Sequence, residues 1–470
     1  MEFEAIIGLE LHVEMKTKSK MFSSSPVSFG EEPNSQVTAF DMAFPGSMPT
    51  VNKEAVINAI RVCNALHMHI EDTLVFDRKN YFYSDLPKGY QITQYERPIG
   101  SKGYLDIDNK RIGLERLHIE EDTCKQLHLE DCTLLNYNRS GIPLLEIVTL
   151  PDIKNGEEAM KLVEKIRSIV TFLDVSDGKM EEGSLRCDVN ISLRDKTSGK
   201  LGSKVEIKNL NSISNVQKAI DYEIERQSKL LKEGKEVVQD TRRFDEVAKK
   251  TVSMRIKDNS IDYKYIREPN IPPIRLSKEF INQAIETSPE LPDDKYERYL
   301  SMGLSKHDAS LLVQNKDVSN YFDEAIETKV SNKLLVNWIF GDIQSILNKE
   351  NISIKQFIVS PKHLAELVLM IEKGTISNNQ GRVIFQEMLK NDASPRELIK
   401  LMGLEIISDE NRIKKLVVET IENNPQSVID YKNGKDRALS YLVGETIKKS
   451  QGRANPSLTK QLMQEELRRR

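Results

Sequence analysis

The residues best placed to do chemistry lie where polar and apolar side chains alternate along the chain. From Ser184 to Arg194, Leu185, Cys187, Val189, Ile191 and Leu193 point one way, and Ser184, Arg186, Asp188, Asn190, Ser192 and Arg194 the other. After a turn carrying Gly199 and Gly202, Val205 and Ile207 continue the apolar face while Lys204, Glu206 and Lys208 continue the charged one. Residues 179–212 therefore read as a β-hairpin with opposed charges on one face. In isolation such a face is a solvated surface laced with weak ion pairs. Three other acidic segments give it more to do.

Near the start, Ile7, Leu9, Leu11, Val13 and Met15 form one face of a strand, leaving Gly8, Glu10, His12, Glu14 and Lys16 on the other. Glu10 and His12 point the same way, as two ligands of one metal ion would, although a plain polar face has the same pattern. Glu146 sits inside the apolar run Ile142 to Val148, where a carboxylate needs either a metal or a base such as Arg139 to offset desolvation. In RLHIEEDTCK, His118, Glu120 and Asp122 alternate with Leu117, Ile119 and Glu121, so Glu121 takes the apolar phase. Together with Glu206, these residues fit a carboxylate-rich Mg²⁺ site that bridges substrate phosphates. Imidazole is unusual for Mg²⁺, so His12 leaves Mn²⁺ open.

Arg186, Arg194, Lys204 and Lys208 supply the complementary charge for a triphosphate. Metal, acids and bases point to ATP-dependent activation of a carboxylate. The chain has no GxxxxGK[ST], GxGxxG or GxSxG motif, no paired synthetase signatures and no amidase-type serine loop. Any ammonia must then come from another chain. Two rival readings share these residues, a free-standing ATP-dependent carboxylate ligase and a non-catalytic RNA-binding scaffold.

At 470 residues the chain should form roughly two to four domains. Its 39% hydrophobic and 30% charged residues are those of a soluble globular protein. No apolar stretch reaches membrane-span length, and acids stand where a signal peptide needs bases, so a cytoplasmic location and no membrane partner are expected. Cys63, Cys124, Cys132 and Cys187 form no CxxC pair and are expected to be reduced and structural. The net charge of −4 argues against indiscriminate nucleic-acid binding, but residues 429–470 carry ten Lys or Arg against five Asp or Glu, a pattern that local phosphate contact and a solvated helix surface explain equally well. Strand-like alternation interrupted by helices near 153–173 and 213–233 runs to about residue 275 without a β-α-β rhythm, predicting an α+β, mainly antiparallel-sheet domain. Prolines in EPNIPPIRL and SPELPDD then introduce helical periodicity, with a further break near Met402 to Asp409.

The segments IGLELHVEM, FDRKNYFYSDLPKGYQITQY, LHIEEDT, NRSGIPLLEIVTLPD, KMEEGSLRCDVNIS, VEIKNLNS, QDTRRFDE and VIDYKNGKDRALSYLVGETIKKSQGRANPSL closely resemble the B-subunit family of the aspartyl/glutamyl-tRNA(Asn/Gln) amidotransferases, in order and over nearly the whole length. The resemblance implies a glutamine-synthetase-like cradle domain at 1–292, a helical domain at 293–405 and a small helical tail contacting tRNA at 406–470. It implies a ligase that uses ATP and Mg²⁺ to phosphorylate the side-chain carboxylate of Glu-tRNA(Gln) or Asp-tRNA(Asn). Ammonia from an amidase-like glutaminase subunit, reaching it through a polar tunnel, then displaces the phosphate, and a small bridging subunit holds the other two together. By motif, the implied metal positions are Glu10, His12, Glu121, Glu146 and Glu206, with Glu121, Glu146 and Glu206 also catalytic. Arg186, Asp188, Lys204, Arg242 and Arg243 are candidates for ATP or the acyl-tRNA end, and Lys79 and Lys88 resemble polar positions in the cradle's interior. The zinc loop of some members is replaced here by Ser23, Ser25, Thr38 and Asp41, so zinc is not expected, and an acid frequent in the family is lost at Asn270 and at Leu150.

Overall fold

The computed structural model describes residues 2–256, 262–403, 409–450 and 453–470. Two compact units divide the chain at 1–294 and 295–470. The expected boundary between 405 and 406, and part of the turn in SQGRANPSL, lie outside the described residues.

The first unit is built on a nine-stranded sheet. From one edge to the other its strands are Lys250–Ile256, Asp240–Asp245, Val205–Lys208, Leu185–Asp195, Phe3–Glu14, Pro143–Thr149, Lys110–Glu121, Gly100–Ile107 and His69–Ile70. Neighbours run antiparallel except Val205–Lys208 and Asp240–Asp245, which are parallel, so the sheet is mixed. The hairpin at 179–212 forms through Val189↔Ile207, Asn190↔Glu206 and Ile191↔Val205, but its first strand starts only at Leu185.

Phe3–Glu14 occupies the centre because its alternation is unbroken: Ile7, Leu9, Leu11 and Val13 are fully buried. Two helices cover that apolar face. Gly156–Phe172 starts where Asn155 accepts a hydrogen bond from the Glu158 N–H at 2.8 Å, and Ile213–Lys232 starts at Ser212, which accepts one from the Asn215 N–H. Their apolar stripes, Ala159, Leu162, Val163 and Ile166 on one and Val216, Ala219 and Ile220 on the other, join the sheet in a single core. The other face of the central strands keeps its charged residues and is left for the site.

The second unit is helical among its described residues. Helices between Lys306–Leu312 and Pro395–Met402 share a core around Phe322, Trp338 and Phe385. Glu410–Asn423, Asp436–Lys449 and Pro456–Arg469 share another around Val417, Leu442 and Met463. No described helix is long and apolar enough to cross a membrane.

Since Leu11 is fully enclosed between sheet and helices, Leu11→Ala should destabilise the first unit by about 2–5 kcal/mol. A urea titration of the purified chain would show this as a lower midpoint at unchanged slope.

Candidate active site

Strand register assembles the site. His12 pairs with Glu146 on one side and Arg186 on the other, and Glu146 pairs with His118, so His118, Glu146, His12 and Arg186 form one cross-strand row. Side chains directly opposite on one sheet face lie close enough to interact. The His12 Nε2 is 3.5 Å from Glu146 Oε2 and 3.9 Å from Glu120 Oε1. The His118 Nε2 stands behind both carboxylates, 3.2 Å from Glu146 Oε2 and 3.5 Å from Glu120 Oε2. Thr93 Oγ1 donates to Glu120 Oε2 at 3.3 Å, fixing that carboxylate further.

Burial and opposed charge contend here, and opposed charge prevails. Desolvation pulls the His118 imidazole down, but Glu146 and Glu120 outweigh it and push it up to about 9. His12 is raised on the same grounds. Burial alone would raise Glu146, yet His118 and His12 hold it well below the usual carboxylate range.

One ligand atom each from His12, Glu120 and Glu146 lies within 4.8 Å of the others. Opposite ligands around an ion with bonds near 2.1 Å are about 4.2 Å apart, so modest closure makes this trio a fit for a small divalent cation. The two carboxylates suit Mg²⁺ or Mn²⁺, and the imidazole, unusual for Mg²⁺, leaves Mn²⁺ open.

A second row runs beside the first. Glu10 faces Asp188 across the strands and accepts from Asn190 Nδ2 at 2.9 Å. Lys208 Nζ reaches Asp188 at 2.7 Å and Glu206 at 3.1 Å, and Thr241 Oγ1 donates to Glu206 at 3.1 Å. Arg186 holds Asp122 at 2.8 Å, and Arg139 lies 3.5 Å from the same oxygen. Burial would raise Asp122, but those guanidinium groups push it below its ordinary value. Glu14, desolvated and beside the Asp122 carboxylate, is pushed the other way. The buried Arg186 Nε has no hydrogen-bond partner among the described residues.

His12 and Glu146 thus enter the cluster, Glu10 and Glu206 lie alongside it, and Arg186 and Asp188 share its face. Glu121 does not join them. Its carboxylate pairs with Lys88 at 2.7 Å and accepts from the Ile92 N–H at 3.0 Å, with only 1% of the side chain exposed. Glu120, one residue earlier, takes the place expected of Glu121, because consecutive strand residues project to opposite sides. His118 was also unforeseen as a member, although its shared phase with Glu120 is legible in RLHIEEDTCK.

Among the candidate bases, Arg242 faces away. It pairs in register with the core residue Ile207, and its guanidinium lies 3.6 Å from the fully buried Glu223 and 2.8 Å from Asp240. Its position there is that of a structural ion pair. Lys204 and Arg243 are exposed. Arg139, expected as a partner for Glu146, serves Asp122. Lys79 lies over the Tyr263 ring, 4.7 Å from its centroid. Ser23, Thr38 and Asp41 do converge, with Ser23 Oγ and the Thr38 N–H donating to Asp41 and the buried Lys20 ammonium 3.6 Å away.

A mixed α+β chain with imidazole and carboxylates in one row, and bases alongside, falls in the class of proteins with a candidate divalent-cation site on a sheet face. Similarity to known proteins narrows that class. Residues 5–282 match the GatB/GatE catalytic domain and residues 320–467 the GatB domain. Over the whole of both chains, the protein is 46% identical to the B-subunits of the aspartyl/glutamyl-tRNA(Asn/Gln) amidotransferases of Bacillus cytotoxicus, Bacillus mycoides and Bacillus cereus. The chain belongs to the GatB family.

Removing the imidazole that backs both carboxylates, in His118→Ala, should weaken Mn²⁺ binding to the chain by about 10–100-fold, as measured by electron paramagnetic resonance titration. Arg242→Met should leave that affinity unchanged while lowering stability by about 3 kcal/mol, because Glu223 and Asp240 lose a buried cation.

Proposed function

We propose that this chain is the kinase and transamidase subunit of a tRNA-dependent amidotransferase, acting on Glu-tRNA(Gln), Asp-tRNA(Asn) or both. The observation that carries the reading is the largely buried acid and imidazole row, flanked by bases, on the sheet face away from the two helices in a chain similar to the amidotransferase B-subunits from end to end. The reading includes a glutamine-synthetase-like cradle at 1–292, a helical domain at 293–405 and a tRNA-contacting tail at 406–470. An amidase-like glutaminase and a small bridging protein are its companions in the complex, which works in the cytoplasm. Full-length similarity favours neither a free-standing ligase nor a scaffold.

His12, Glu120 and Glu146 would hold Mg²⁺, with Glu10 and Glu206 beside them. The cation supplies neutralisation of charge on the triphosphate. Arg186 and Lys208 would take up charge that develops as a side-chain carboxylate oxygen attacks the γ-phosphorus and the bond to the β-phosphate oxygen breaks. The products of that step are ADP and an acyl phosphate. Ammonia then attacks the acyl carbon, phosphate leaves, and a carboxylate on this face accepts the proton lost from nitrogen. With no covalent attachment to the protein, catalysis rests on positioning and fixed charge.

Reconstitution with the glutaminase and the bridging protein tests this. Both misacylated tRNAs should be offered with ATP, using glutamine in one arm and free ammonia in the other. Amide formation should need ATP and a divalent cation, and Glu146→Gln should lower kcat by about 100-fold or more in both arms. Unchanged ammonia-supported amidation in that variant would remove the site assignment.

A further inference from the structure

An aromatic ladder stands beside the carboxylate row and has no part in the chemistry above. The Tyr95 and Tyr265 rings are stacked, with centroids 4.0 Å apart and planes 12° apart. Tyr263 meets Tyr265 edge-on at 6.3 Å, and Tyr81 meets Tyr263 edge-on at 6.0 Å. The ladder is tied to the site through the chain: Thr93, which bonds Glu120, is two residues before Tyr95.

Both ends of the ladder reach the surface: Tyr95 at one is 62% exposed, and Phe82 and Tyr83, which follow Tyr81 at the other, are 95% and 58% exposed. The backbone N–H groups of Tyr95 and Glu96 both donate to the buried Asp77, at 2.9 and 3.1 Å. Tyr265 immediately precedes Ile266–Arg267, whose pairing with Arg78 and Asp77 fixes it to the same small sheet. Exposed Arg97, Lys264 and Arg267 accompany the rings in sequence. Open aromatic faces edged by cations are the surface on which single-stranded nucleic acid stacks, with little regard to base identity.

We propose that Tyr95, backed by Tyr265, is a positioning residue that stacks the unpaired 3′-terminal base of the acylated tRNA and aims its amino-acid side chain at the His12, Glu120 and Glu146 row. This deepens the function proposed above and rests on it. Tyr95, 62% exposed and backed by Tyr265, offers one ring face on which a terminal base can stack, and indifference to base identity is no handicap for an end that all tRNAs share.

The complex with the glutaminase and the bridging protein would be assayed as Tyr95→Leu, Tyr265→Leu and Tyr95→Phe variants. Both leucine variants should raise KM for acyl-tRNA by about tenfold, with KM for ATP within about twofold of its starting value, and Tyr95→Phe, which keeps the ring, should leave KM for acyl-tRNA near its starting value. A second readout is independent of amidation: tRNA with 2-aminopurine at its 3′ terminus should lose fluorescence on binding, and the leucine variants should abolish that loss. A rise in KM for ATP alone would assign the rings to the nucleotide and overturn the proposal. So would unaltered kinetics with unaltered quenching. If amidation fails altogether while quenching persists and depends on Tyr95, the stacking stands and the amidotransferase reading falls.

Discussion

The site depends on the pairing register of one strand. Phe3–Glu14 is hydrogen-bonded on both sides, so His12 is held between Glu146 and Arg186 by backbone pairing rather than by its own side chain. A slip of one residue would turn Ile7, Leu9, Leu11 and Val13 onto the polar face and send Glu10 and His12 into the helices. The apolar core and the carboxylate row are therefore two faces of one constraint. What stabilises the fold also sets the separation of the ligands.

On the open face, nearly every charge is matched before any substrate arrives. Lys208 is shared between Asp188 and Glu206, Arg186 is held by Asp122, and His118 supports two carboxylates. Partly buried ion pairs of this kind contribute little net stability once desolvation is counted. Their value lies in orientation, because groups already fixed by a partner need not reorganise when charge develops nearby. Arg186 combines both states, with Nη2 engaged and Nε buried without a partner.

Much of this was legible in the residues, and the misses have a common cause. Alternation alone correctly separated Leu185, Cys187 and Val189 from Arg186, Asp188 and Asn190, and it paired Glu10 with His12 on one side. It cannot say which strands are neighbours or which face the site occupies. Glu121 drew attention because an acid in an apolar phase demands a partner, and it has one in Lys88. Glu120 and His118 looked ordinary because they shared a polar phase, yet only pairing with Pro143–Thr149 shows that phase to be the site. Arg242 shows the converse: one residue after Thr241, which bonds Glu206, it points to the helix side and to Glu223.

The adjacent acids Glu120 and Glu121 also couple the row to what lies around it. Each has a different surrounding: Glu120 sits among two histidines and Thr93, and Glu121 sits with Lys88 and the Ile92 N–H. Thr93 and Ile92 are themselves neighbours on the Tyr90–Thr93 strand. Two consecutive residues of one strand are thus clamped to two consecutive residues of another through side-chain oxygens. Movement of either strand must disturb both contacts together. The orientation of the Glu120 carboxylate is thereby locked to a buried ion pair and to the small sheet that carries Tyr95, which makes a rigid assembly from groups that the sequence scatters between His12 and Tyr265.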